Sequence, residues 1–485
     1  MKKLNAFLVS VLSAAALNAA VIEQVIVRQQ WPWSTDIKVE YKLSGVTKPV
    51  DLTVNAFNGD VQLTLPASAI AGDLYGISED GIGQIVIDPI KAFGTGKVAL
   101  ANFKVKLTVS ESAANIGEVL YKIYDLENGT CEDVTRAGLL NGKYGSIVTD
   151  YTKLVPGCEP AVSDLLIWTD VTNRTDCMTT KLVMRKIAAK GQTFTMGSPT
   201  SEIGRTDTMD KTKDGTKPTG RETQHNVTLT NDYYIGVFEI TQKQYNLMTG
   251  KWPSKFTMAD CRESRPVEPI SYDNLRGTKS IDGRGWPTNR THAVTEGSAL
   301  DNLRKKFANA PLFDLPTEAE WEFACRAGTT TAWYNGTNPT TTYYYTNDKN
   351  LSKLARYLAD GGFIDRQDYT KSTSTATLAT LGTTNGTARV GSYLPNAFGL
   401  YDMLGNVAEW CLDYYGAFSA EPVTSPCGPT FEEAWVSEWG YRNRVLKGGA
   451  WSDQMISSRA ASRAHDTWSQ AQIGYGARLC LIIDK

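Results

Sequence analysis

The sequence predicts an α+β protein in two parts, an all-β sandwich-like domain followed by a larger, loop-rich domain. Three observations carry this reading. At 485 residues the chain is too long for one ordinary core. Residues 21–110 alternate apolar and polar positions in runs such as IKVEYKL, VDLTVNAF, VQLTLP, GQIVID and FKVKLTVS. Turn residues bound each run, a pattern that predicts antiparallel strands. From Lys181 onward the texture changes: aromatic residues become dense, glycines recur, and helix signals are few.

Residues 1–20, MKKLNAFLVSVLSAAALNAA, set Lys2 and Lys3 ahead of an apolar run that ends in small residues. That is the layout of a secretory signal peptide, so the chain is expected to be exported: periplasmic, cell-surface or secreted. No later run approaches the ~20 apolar residues of a membrane span, so the exported chain is expected not to span a membrane. With 50 basic against 52 acidic side chains, it lacks the electrostatic footprint of a nucleic-acid-binding protein. Eight cysteines and no Cys-x-x-Cys pair predict disulfides ahead of thiolate chemistry or zinc in an exported chain.

The sandwich-like domain (21–110) gives way to a connector (111–178) mixing short apolar runs with Gly, Pro and Asn, which Cys158 and Cys177 could pin. Two helices stand out in 179–485. Residues 240–250, ITQKQYNLMTG, offer Thr241 as cap and Gly250 as stop. Residues 317–328, TEAEWEFACRAG, carry a Thr317/Glu320 capping box and end at Gly328, with Trp321, Phe323 and Cys325 directed to a core. Residues 204–222 and 371–388 read as long polar surface loops.

Along the same region run GQTFTMGSP (191–199), YIGVFEITQKQY (234–245), RPVEPISYDN (265–274), LPTEAEWEFACRAG (315–328), VGSYLPNAFGLYDMLGNVAEW (390–410), RVLKGGAW (444–451) and GARLC (476–480). In order and spacing these blocks resemble the formylglycine-generating enzyme, or sulfatase-modifying factor, family. The resemblance implies a C-type-lectin-like, loop-rich α+β fold over 179–485, built around bound calcium.

It also locates the family's chemistry. In its oxidases a strand ending in Gly-Gly-Ser leads to two cysteines that bind copper(I). Here Gly448 and Gly449 are present, Ala450 replaces the serine, Asp453 stands at the first cysteine, and residues 454–463 contain no cysteine. Copper(I) needs soft sulfur ligands, so no copper is expected. The resemblance then points to an exported, non-catalytic binding or assembly protein. Its rivals are an oxidase converting sulfatase cysteines to formylglycine and another metal-dependent oxidoreductase of the superfamily.

By the same resemblance, Asn406, the Val407 carbonyl and Glu409 are expected to hold a structural calcium ion, a hard cation that takes six to eight oxygens. Cys325 and Cys480 are expected to pair as a disulfide. Trp410, Trp451, Asp453, Arg459, Arg463 and His465 could line a pocket for a peptide, protein or glycan, since aromatic faces beside polar rims suit such ligands. Alternatively both tryptophans are core and the arginines make surface ion pairs.

Overall fold

A computed structural model describes residues 20–29, 33–95, 100–162, 164–278, 286–287, 292–343, 346–361 and 385–483. The expected signal peptide, apart from Ala20, and most of the expected loop 371–388 lie outside these residues. The chain divides into two compact units, the first comprising Met1–Leu120, Asp133–Ile147 and Trp168–Asp170, the second the remainder.

The first unit holds two antiparallel sheets. One orders its strands Val21–Gln29, Ile37–Ser44, Gly81–Ile87, Ile70–Gly72; the other Val61–Leu63, Val50–Asn58, Phe103–Glu111. The period of two seen in IKVEYKL becomes burial: Ile37, Val39, Tyr41 and Leu43 point inward while Lys38, Glu40 and Lys42 do not. They join Leu52, Leu74, Ile85 and Ile87 in one core, each fully buried aliphatic contributing ~1.5–3 kcal/mol.

The expected connector does not stand apart. Tyr121–Glu132 and Val148–Ile167 group with the second unit, and Asp133–Ile147 with the first. In the second unit, strands Leu312–Asp314, Cys480–Ile482, Tyr233–Gly236 and Lys181–Ile187 neighbour one another in that order in one sheet. A four-stranded sheet, ordered Ala464–Asp466, Arg444–Lys447, Ala408–Tyr414, Tyr475–Gly476, carries the segment of chemical interest.

Both expected helices form. Gln242–Thr249 is closed by a Thr241/Gln244 capping box and stopped by Gly250 at φ 74°. Glu318–Arg326 has the Thr317/Glu320 box and passes through Ala327 and Gly328, both left-handed. A third helix, Ala299–Lys306, is capped by Ser298 and ends in Arg304, Lys305 and Lys306, favourable charges at a helix C-terminus; the cap and the basic last turn were its sequence signals. Trp321 from the second helix sits in a core with Trp333, Tyr334, Cys325, Cys411 and Cys480.

Candidate functional site

Strand Arg444–Lys447 pairs with Ala408–Tyr414 and runs into Gly448 and Gly449, at φ 89° and 73°. A Cβ on Gly449 would lie 2.9 Å from the Ser457 carbonyl oxygen, so only glycine allows the chain to turn here. Asp453 closes the turn: its carboxylate accepts the Ala450 N–H at 2.9 Å, and its own N–H donates to the Ala450 carbonyl at 2.9 Å. Burial pushes the Asp453 carboxyl above its ordinary pKa. Asp453 therefore serves as a turn-closing carboxylate.

The six residues expected to line a pocket are placed otherwise. Trp410 is fully buried and donates its indole N–H to the Ile270 carbonyl at 2.9 Å; Trp451 is buried and donates to Ile473 at 3.1 Å. Arg459 is clamped by Glu222 at 2.9 Å and by Glu202. Arg463 is clamped by Glu318, at 2.7 Å from one carboxylate oxygen. His465 stacks on Tyr415 with ring centres 4.0 Å apart and bonds Asp210 at 2.7 Å. Both tryptophans are core and both arginines are sealed in ion pairs, because an unpaired buried charge costs more than the pairing. Of the six, Trp410 and His465 lie in strands of one sheet, Ala408–Tyr414 and Ala464–Asp466, and the other four lie in the turns and loops around it.

The expected calcium ligands belong to a buried charge cluster. Glu409 accepts Arg478 in a forked contact, 2.8 Å to one guanidinium nitrogen and 3.1 Å from Nε to each oxygen, and also the Trp321 indole N–H at 2.6 Å. Asn406, left-handed at φ 61°, donates its amide to Glu239 at 2.6 Å and accepts the Ala388 N–H at 2.8 Å. The Val407 N–H completes the Glu239 contacts at 3.0 Å. Asn406 is thus already spent within the protein and does not fit a metal as placed.

Asp402 does fit. It is left-handed at φ 55° and fully buried; one oxygen takes the Gly391 N–H at 2.6 Å while Oδ1 has no partner. Burial first, and then the nearby Glu409 charge, raise its carboxyl to about 6 against the opposing Gly391 N–H and Arg478. Glu239 is raised well above the carboxylate range, first by burial, then by Asp402 and Glu409. Three carboxyls face the Arg478 guanidinium, with Arg356 a second cation near Asp402, so the cluster favours a bound proton or a further cation. Among the described residues no three His, Cys, Asp or Glu side chains converge as metal ligands. An ion here would therefore draw on carbonyl oxygens as well.

Glu239, Asp402 and Arg478 were not singled out from sequence, although each is a charge inside an apolar run: GVFEI, GLYDML and GARLCL. That contrast is the signal of a buried pair.

The expected Cys325–Cys480 bond is not formed among the described residues. Cys325 turns its sulfur toward the Met403 carbonyl, 3.9 Å away, while Cys480 lies in the strand paired with Ile235 and Asp314. Burial pushes the Cys325 thiol up to about 12 and raises Cys480 well above the ordinary value. Protonated and buried, neither thiol is reactive.

Residues 176–483 match the family described as the sulfatase-modifying factor enzyme 1-like domain. Chaperone protein LppX of Paenibacillus barcinonensis is 30% identical over 238 residues, 47% of this chain and 71% of that protein. The formylglycine-generating enzyme of Mus musculus is 29% identical over 171 residues, 34% of this chain and 38% of the enzyme. Among solved structures, Treponema denticola variable protein 1 aligns with a TM-score of 0.41 at 23% identity, covering 62% of this chain and 95% of its own. The match spans less than half the length of the formylglycine-generating enzymes. Among the described residues no helix is long and apolar enough to cross a membrane.

Proposed function

The chain belongs to the sulfatase-modifying factor enzyme 1-like domain family through residues 176–483, and from that membership we propose that it is an exported, non-catalytic binding or assembly protein. The observation that carries the proposal is the Ala450–Asp453 turn. Its carboxylate is engaged with its own backbone at 2.9 Å, where the family's oxidases need a thiolate, and residues 454–463 supply no sulfur nucleophile. The similarity to a protein named as a chaperone supports an assembly role. The leader at residues 1–20 supports export.

The same reading assigns calcium a structural part. Asp402, whose Oδ1 has no partner, would hold the ion with carbonyls of the loop that includes Val407, and the ion would offset the excess negative charge of Glu239, Asp402 and Glu409.

The test is incubation of the full chain with copper, oxygen and a sulfatase-derived Cys-x-Pro-x-Arg peptide, read by mass spectrometry. No conversion beyond a copper-only control is expected. Formation of formylglycine above that control would instead establish an oxidase.

A further inference from the structure

Away from the turn at Asp453, the second unit presents two aromatic rings beside a lysine-bearing hairpin. We propose that this surface binds an acidic polysaccharide. The rings belong to Trp439, 78% exposed, and Tyr441, 52% exposed. Lone apolar residues on a surface are ordinary, but this turn is locked. The Ser437 N–H donates to the Tyr441 carbonyl at 2.8 Å, the Gly440 N–H to the Ser437 carbonyl at 2.8 Å, and the Tyr441 N–H to Ser437 Oγ at 3.0 Å. Gly440 is left-handed at φ 85°. Below the turn, Trp435 is buried, donates its indole N–H to the Asp210 carbonyl at 3.1 Å, and packs edge-on against Tyr415. The backbone that carries the exposed rings is therefore fixed before any ligand arrives, which lowers the entropy cost of binding.

The neighbouring hairpin is tied to the same turn. Thr208 bridges Thr219, and the Thr212 N–H donates to the Thr216 carbonyl at 2.8 Å, setting Lys211 and Lys217 on facing arms with Lys213 at the tip. Thr212 bridges Ser437, and the Lys213 N–H reaches the Val436 carbonyl at 3.3 Å. All three lysines are exposed, and the ion pairs found among the described residues leave them out. Of the hairpin's own acids, Asp214 accepts the Thr216 hydroxyl within the hairpin at 2.8 Å, and Asp210 accepts His465 at 2.7 Å with the Lys217 charge near it.

Two flat rings suit the C–H faces of sugar units, and three hydrated ammonium groups suit carboxylates or sulfates spaced along a polymer. A nucleic acid fits less well. Its phosphates repeat every few ångströms and call for a dense basic field, whereas this surface sets three lysines beside the exposed Glu438 of the turn itself.

The test is affinity electrophoresis of the full chain through gels containing alginate, dextran sulfate or neutral dextran. Retardation by alginate identifies carboxylate as the recognised anion, and retardation by dextran sulfate identifies sulfate; neutral dextran is expected to leave migration unchanged. Retardation should fade as salt rises. Trp439→Ala with Tyr441→Ala should weaken binding on the order of tenfold. Lys211→Gln, Lys213→Gln and Lys217→Gln together should weaken it and flatten the salt dependence. All five side chains are exposed, so melting temperatures should stay at the wild-type value. Migration unaffected by either acidic polymer, variants retained like wild type, or equal competition by single-stranded DNA would overturn the proposal. None of these outcomes depends on the peptide-oxidation assay, so the two proposals fail separately.

Discussion

Arg478 closes on Glu409 in a fully buried ion pair, 2.8 Å at its shortest, with the remaining guanidinium N–H groups donated to the Gly236 and Tyr401 carbonyls at 2.8 and 2.7 Å. One cation thereby joins strand Tyr233–Gly236, the LYDML loop and strand Ala408–Tyr414. Arg478→Met should destabilise the protein by about 3–5 kcal/mol, because it leaves the buried Glu409 carboxylate without its ion-pair partner. Urea unfolding measures this; a loss under 1 kcal/mol would mean the cluster is balanced some other way.

Asp402 governs a pH response. Its folded pKa of about 6 lies above the ordinary 3.8, so the folded state binds the proton more tightly than the unfolded chain. The associated stability is complete below pH ~4 and is lost as pH rises through ~6, amounting to up to about 3 kcal/mol. In chelator, stability should fall across this window, and Asp402→Asn should flatten the fall. With calcium present the slope should reverse, because the ion binds the deprotonated carboxylate. Melting curves from pH 4 to 7, with and without calcium, separate the two cases.

Calcium should raise the melting temperature, since a ligand held only by the folded state at a hundredfold its dissociation constant contributes ~2.7 kcal/mol. Asp402→Asn should abolish the response. Asn406→Ala should lower the starting stability yet keep the response, because the Asn406 amide is committed to Glu239. Identical melting in calcium and chelator would remove the ion from this account.

Arg463 is held by Glu318 from β-sheet to helix N-terminus, with its Nη1 also donated to the Gly416 carbonyl at 2.7 Å. Arg463→Ala should therefore cost about 3–5 kcal/mol in urea unfolding. A stable variant would return Arg463 to the ligand-binding role its sequence position suggested.

Sequence alone determined the elements whose cause is local. Alternation in IKVEYKL fixed a strand, because successive side chains of extended backbone face opposite ways. The Thr317/Glu320 and Thr241 signals fixed two helix starts, because capping satisfies N–H groups within one turn of chain. The ordered blocks from residue 191 to 480 identified the family, and Asp453 in place of cysteine was legible as a letter. What Asp453 does was not legible: its carboxylate serves the Ala450 N–H three residues away, which depends on Gly448 and Gly449 both turning left-handed. Nor could spacing tell a pocket arginine from a buried one. Arg459 meets Glu202 and Glu222, and Arg463 meets Glu318, across more than a hundred residues. Such pairings are set by which strands and loops pack together, and only the tertiary structure decides whether a charge faces water or a counter-charge. The same reason moved the metal-fitting oxygen from Asn406 to Asp402. Both lie in one loop, but Glu239, from a distant strand end, takes the amide of the first and leaves Oδ1 of the second without a donor.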